Sequence, residues 1–251
     1  MGLQGKVALV TGSSSGIGRG VALAFAQAGA SAVVVNYPGE AEAGAAQAIF
    51  RELEALGCKA LAIRADVSSE QGVAQVVAKA LEAFGAVDIL VNNAGIAHDN
   101  RGEAMPVELW DRVLGVHLRG TFLMTRALLP QMYARGHGRI INTVSQLAYK
   151  GAPGLSAYTA AKGAILSFSR SLALEIGARD ITVNCVAPGA TLTPILEAVP
   201  SDTLEAIKAS IPLGRLATVD DIVPSYVFLA SEAGRHYQGQ CISPNGGDCF
   251  L

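Results

Sequence analysis

The sequence predicts an α/β fold: a doubly wound, parallel, seven-stranded sheet with helices on both faces. Three observations predict it. Short β-branched runs alternate along the whole chain with longer Ala-, Leu- and Glu-rich stretches of 3.6-residue apolar period. The first six runs are near-continuous apolar segments, as strands become when helices cover both faces of a parallel sheet. A glycine-rich turn follows the first run at once and opens a helical stretch.

In order, the strands fall at residues 6–10, 31–36, 60–65, 88–92, 139–144, 182–187 and 240–243. The second has a Val-Val-Val centre, which suits a pleated, buried surface. Between them, 42–56, 70–84 and 107–135 carry helical apolar spacing. A further helix begins near residues 153–156, and its stripe of Ala161, Ile165, Phe168, Leu172 and Ile176 faces the sheet or a partner subunit. Strand–helix–strand repeats of this kind imply right-handed crossovers. No linker, low-complexity tract or long-period repeat divides residues 1–251, so a single domain is expected.

The chain has 251 residues, 19 basic against 21 acidic, and a formal net charge of −2. At 51% apolar it buries enough surface to offset its ordering entropy, which excludes disorder. Near-neutral charge without a Lys/Arg block gives no reason to expect nucleic acid or an anionic membrane surface. Cys58, Cys185, Cys241 and Cys249 form no CxxC pair and have no His at ligand spacing, so neither a metal site nor a disulfide framework is expected. Residues 20–39 are uncharged and long enough to span a bilayer. They contain Gln27, Gly29, Ser31, Asn36 and Pro38, however, and change midway from helix to strand. No membrane span follows, the N-terminus lacks the apolar core of a signal peptide, and a cytoplasmic protein is expected.

Sheets of this kind bind ligands beyond the carboxyl ends of their strands, where strand order reverses. There the first strand runs into Thr11-Gly12-Ser13-Ser14-Ser15-Gly16-Ile17-Gly18. Glycines permit a tight turn and close approach of backbone to a pyrophosphate, and the helix start offers free N–H groups and a partial positive charge. The loop therefore reads as a dinucleotide site. A carboxylate after the second strand favours NAD and a nearby Arg favours NADP. Asn36 stands there, followed by Tyr37, Pro38, Gly39 and Glu40, so NAD(H) and NADP(H) both stay open.

Ser145 follows the fifth strand, and Tyr158 and Lys162 stand four residues apart on the next helix, neighbours on one face. A phenol is a poor acid–base group at neutral pH; an adjacent ammonium, and a positively charged oxidised nicotinamide, favour the phenolate. Tyr158 then exchanges a proton with a carbonyl or alcohol oxygen as hydride moves to or from the nicotinamide, while Ser145 hydrogen-bonds that oxygen.

These residues together resemble the short-chain dehydrogenase/reductase family, whose sheet is a Rossmann fold. The resemblance covers essentially the whole chain: the Thr11–Gly18 loop, Asp66-Val67 after strand three, Asn92-Asn93-Ala94-Gly95 after strand four, Ser145, Tyr158-x-x-x-Lys162 and Pro188-Gly189 after strand six. It implies that Asp66 contacts the adenine and that the Asn93-Ala94-Gly95 stretch supports sheet and cofactor. It also implies that Lys162 holds the nicotinamide ribose, and that Pro188-Gly189 with Thr191 and Thr193 meets the carboxamide. One departure stands out. His117 occupies the place where the family usually carries an Asn that holds a relay water. Imidazole both donates and accepts, so His117 either joins the proton relay or only packs.

The pattern around Ile96-Ala97-His98-Asp99-Asn100 is similar to 3-oxoacyl-thioester reductases and some sugar 1-dehydrogenases. The lid-like stretch 191–212 carries Leu192, Leu196, Leu204 and Ile207, which suits an apolar or cyclic ketone. A catalytically silent dinucleotide-binding scaffold is the alternative from another class, and the complete Ser145, Tyr158 and Lys162 set argues against it. The resemblance implies a homotetramer, and the apolar end through Cys249-Phe250-Leu251 fits burial at an interface.

Overall fold

A computed structural model of the protein describes residues 2–197 and 199–250. Ala198, within the lid-like stretch, and Leu251, at the apolar end, lie outside the described residues. The first half comprises β1 (Val7–Val10), α1 (Gly16–Gln27), β2 (Ala32–Tyr37), α2 (Ala43–Ala55), β3 (Lys59–Arg64), α3 (Glu70–Phe84) and β4 (Ile89–Asn92). The second comprises α4 (Val107–Leu114), α5 (Gly120–Arg135), β5 (His137–Thr143), α6 (Leu147–Lys150), α7 (Ser156–Ile176) and β6 (Asp180–Val186). After it come α8 (Pro194–Glu197), α9 (Ser201–Ser210), α10 (Val219–Ala230) and β7 (Cys241–Ile242).

The seven strands make one sheet in the order β3-β2-β1-β4-β5-β6-β7, and every neighbouring pair runs parallel. The fold class is the one predicted. Two apolar clusters explain why the strands read as continuous apolar runs. On one face α1, α2 and α10 bring Phe25, Ile49, Leu53, Ile222 and Leu229 against Ala8, Val10 and Val33. On the other, α3, α5 and α7 bring Val76, Met124, Leu128 and Ile176 against Leu9, Val34 and Leu90. Successive residues of each central strand are therefore buried on alternate faces, which a one-sided sheet does not require.

Strand order reverses between β1 and β4, which opens a crevice at their carboxyl ends. The loop after β1, the loop after β4, the segment after β5 and the loop after β6 all meet there. The predicted 107–135 helix is continuous but is wound as a π-turn over Gly115–Arg119, which separates α4 from α5 and carries His117. Such turns insert a residue into the helical ladder and re-aim its side chain.

Candidate active site

The glycine loop is built on backbone that other residues rarely adopt. Gly12 and Gly16 have φ values of +60° and +55°. A Cβ on Gly12 would lie 2.7 Å from Ala94 Cα, and one on Gly18 would lie 2.5 Å from Gly12 O. Asn93 braces the loop: its Nδ2 donates to Thr11 O (3.0 Å) and Gly12 O (3.1 Å). Thr11 Oγ1 accepts from the backbone N–H groups of Asn93 (2.9 Å) and Ala94 (3.0 Å). Ser15 starts α1 without a side-chain cap, so the first-turn N–H groups of Gly16, Ile17 and Gly18 have no partner within the helix. Ser14 is buried and Ser15 exposed on this turn. Thr193 overhangs it, its methyl 3.5 Å from where a Gly16 Cβ would stand. A cradle too narrow for side chains, ending in uncapped N–H groups, fits a pyrophosphate.

Asn36 requires a correction. β2 runs to Tyr37, so Asn36 lies inside the strand and is buried rather than following it. Its Nδ2 donates to Ala65 O (3.0 Å) and Ile63 O (3.3 Å), and its Oδ1 accepts from Gly12 N–H (3.4 Å). It ties the glycine loop to β3 and has no free group for a ribose. Glu40, beyond β2, pairs with Arg64 at the end of β3, so neither charge stands alone at that rim. Asp66 is partly exposed; one oxygen accepts from Arg112 (2.8 Å), the other from Ser68 N–H (2.9 Å) and Ser68 Oγ (2.7 Å). These donors hold its carboxyl below the usual range although its partial burial opposes them. Val67 is buried against Gly120.

Ser145, Tyr158, Lys162 and His117 come together beneath the loop after β4. Lys162 is 3% exposed, donates from Nζ to Thr143 O (2.6 Å) and lies 5.6 Å from the Tyr158 ring centre. The His117 ring meets the Tyr158 ring edge-on at 5.3 Å. His117 Nε2 lies 2.7 Å from Ile96 O and 2.9 Å from Ile96 N, so it donates to the carbonyl in one tautomer and accepts from the amide in the other, and Nδ1 is buried without a partner among the described residues. Gly95 makes room for this ring, since a Cβ there would meet His117 Cε1 at 2.5 Å.

Burial sets the charges. It raises the Tyr158 phenol above its ordinary value, with Ser145 hydrogen bonding in opposition. It lowers Lys162 to about 7. Burial, then the Lys162 charge, lowers His117 to about 3, so the imidazole is neutral at physiological pH. The sequence expectation that Lys162 depresses the phenol is not met by the protein's own groups: burial outweighs the opposing Ser145 hydrogen bond.

Behind Ser145, Gln146 N–H donates to Pro188 O (3.1 Å), and Gly189 N–H to Pro244 O (3.1 Å). Gly189 packs on Asn245, 2.7 Å from its Cα if a Cβ were added. Thr191, buried, bonds Gly189 O (2.9 Å), and Thr193 Oγ1 bonds Thr191 O (3.3 Å). This loop faces the glycine turn across the crevice.

Sequence reasoning missed two features. Thr143 anchors Lys162 through its carbonyl, a backbone role that leaves no residue signature. Asp248, nearly buried, takes Lys150 Nζ (2.6 Å), Gln146 Nε2 and Ser210 Oγ (3.3 Å), strapping the chain end across α6 and the end of α9. That contact spans about a hundred residues in sequence, beyond any local pattern.

The comparisons agree with this geometry. A family model described as enoyl-(acyl carrier protein) reductase matches residues 12–248. The 3-oxoacyl-[acyl-carrier-protein] reductase of Thermotoga maritima is 36% identical over 98% of this chain and 99% of its own length. A (2S)-[(R)-hydroxy(phenyl)methyl]succinyl-CoA dehydrogenase subunit of Thauera aromatica is 39% identical over 98% of each chain. The crystal structure of the 3-ketoacyl-(acyl-carrier-protein) reductase from Brucella melitensis complexed with NADH superposes with a TM-score of 0.89 at 39% identity. It covers 98% of this chain and 99% of that one.

Proposed function

The chain belongs to the short-chain dehydrogenase/reductase family, and from that premise we propose that it interconverts a 3-oxoacyl thioester and its secondary alcohol. Its class is that of an NAD(P)(H)-dependent oxidoreductase acting between C=O and CH–OH. One observation carries the reading: a phenol, a hydroxyl and a buried lysine converge at the switch point of the sheet, beside a cradle fitted to a dinucleotide.

Gly12, Ser14, Ser15, Gly16, Ile17 and Gly18 would hold the pyrophosphate; Asp66, Val67, Asn93, Ala94 and Gly95 would flank the adenosine side. Pro188, Gly189, Thr191 and Thr193 would flank the nicotinamide side, with Tyr158 and Lys162 on its ribose. When bound, the dinucleotide supplies or takes up the hydride. In reduction Tyr158, protonated at neutral pH because burial raises its pKa, gives its proton to the carbonyl oxygen. Ser145 donates to the same oxygen as charge develops on it. Lys162, fixed by Thr143, stabilises the resulting phenolate. His117 stays neutral and offers Nδ1, its unpartnered ring nitrogen, to the path that returns a proton to Tyr158.

The lid supports an acyl substrate. Its basic residue Lys208 is engaged with Glu205, and Arg215 just beyond it with Asp221, while Leu192 and Leu213 are exposed apolar groups. The loop after β4 touches the segment before α7 through Asn100 N–H to Gly154 O (2.9 Å). Both curated relatives described above act, by name, on acyl thioesters. The protein acts as a homotetramer in the cytoplasm: α5 and α7 expose Phe122, Tyr133 and Leu174, and Phe250 lies bare at the chain end. No helix among the described residues is long and apolar enough to cross a membrane.

Nicotinamide absorbance with a 3-oxoacyl thioester, a cyclic ketone and an aldose, each with NADH and NADPH, tests the reading. Turnover on the thioester is expected. Turnover on the aldose alone points to a sugar 1-dehydrogenase, and none on any to a silent scaffold. Tyr158→Phe should lower kcat by about 10²–10⁴-fold while the dinucleotide, held chiefly by the glycine loop, still binds, as read by fluorescence titration.

A further inference from the structure

We propose that Cys185 and Cys241 form a redox-reactive dithiol packed against the middle of α7, closed to an intrachain disulfide by hydroperoxides. The two occupy one register position on neighbouring parallel strands, β6 and β7. Their side chains therefore leave the sheet on the same face. Cys185 N–H donates to Gln240 O and Ala187 N–H to Ile242 O, both at 2.8 Å, so the strands are locked at this step. Neighbouring strands lie about 4.8 Å apart, inside the roughly 4.4–6.8 Å span of Cα atoms that a disulfide bridges. β7 is a two-residue edge strand, which lets its backbone adjust to the sulfur geometry.

Both thiols belong to a cluster with Val144, Ile165 and Leu166, with Tyr149 of α6 packed against it. They differ in exposure: Cys185 is 1% exposed, Cys241 partly open. They differ in acidity as well. The Cys185 thiol, beside Cys241 and buried, is raised above its usual value, while Cys241, beside Cys185, Tyr149 and Arg170, is pulled below its own. The remaining thiols lack such a partner: Cys58 is held protonated by burial, and Cys249 lies on the chain end. Neither Cys185 nor Cys241 has a part in the hydride chemistry.

The steps balance with a hydroperoxide as the oxidant. The Cys241 thiolate attacks the peroxide; an S–O bond forms, the O–O bond breaks, and the leaving oxygen departs as water or alcohol after taking a proton. The Cys185 sulfur then attacks the sulfenic sulfur, an S–S bond forms, and the hydroxyl leaves as water with the Cys185 proton. Two thiols are oxidised by two electrons and one peroxide is reduced.

The full chain, reduced and freed of reductant, is exposed to hydrogen peroxide, its remaining thiols are alkylated, and linked peptides are mapped by non-reducing mass spectrometry. Two of the four thiols should vanish together, the Cys185 and Cys241 peptides should be joined within one chain, and dithiothreitol should restore both. In Cys185→Ser, Cys241 should stop at a sulfenic acid that dimedone captures; in Cys241→Ser, Cys185 should stay reduced. The proposal fails if Cys185 and Cys241 both remain thiols while Cys58 or Cys249 oxidises. It fails equally if the bond joins two chains, or if Cys185 oxidises as fast without Cys241. Mapping on the unaltered chain decides the matter even where a serine variant does not fold.

Discussion

Lys162 is costly where it stands. Burial holds its pKa at about 7, against roughly 10.4 in an unfolded chain. Between those values the unfolded chain binds a proton that the folded one does not, so this residue's contribution to stability rises with pH across that window. Below pH 7 both states are charged and the full penalty of a buried ammonium stands. Lys162→Met should therefore melt higher than the unaltered chain, most clearly near pH 6 and less near pH 9, with each kcal/mol recovered worth about 2–4 °C. The same change should lower kcat by about a hundredfold or more. Calorimetry at the two pH values with parallel kinetics checks both signs. Tyr158 titrates the other way: its raised pKa keeps it a proton donor through neutrality. Alcohol oxidation, which needs the phenolate, should climb with pH past the range where ketone reduction is flat. His117 is the residue on which a relay would show. His117→Asn removes a neutral ring whose Nδ1 has no partner among the described residues, and a kcat profile with an altered pH dependence is expected; an unchanged profile would mean that the ring only packs.

At the scale of elements, the π-turn Gly115–Arg119 and the chain-end strap position the site from opposite sides. The π-turn re-aims His117 into the space left by Gly95. Gly95→Ala should displace the ring and reproduce much of the His117→Asn phenotype. The strap joins Asp248 to Lys150 of α6, directly after Ser145, and to Ser210 at the end of α9. Asp248→Asn keeps the shape and removes the charge, and it releases α6 from the lid. KM for the ketone should rise several-fold, with kcat less affected and dinucleotide affinity unchanged, because the glycine loop lies on the far side of the crevice.

Across the whole molecule, α7 carries Leu174, 84% exposed, and α5 carries Phe122, also exposed and set edge-to-face on Phe168. Light scattering should find a species near four times 25.8 kDa. Leu174→Glu should shift it toward smaller assemblies, since a carboxylate buried without a partner costs several kcal/mol. The sequence by itself determined the architecture, because helix and strand periods, buried strands and glycine turns are local properties of the chain. The strand positions fall within about two residues of those observed, a difference that fraying ends account for. It also singled out Ser145, Tyr158, Lys162 and His117, whose residue types carry the chemistry. Only the tertiary structure decided what surrounds them. Asn36 turned from a ribose reader into a buried brace, the phenol was raised rather than lowered, and Asp248 met Lys150 across the chain. Desolvation and long-range contacts arise only when distant segments pack together, so no local pattern encodes them.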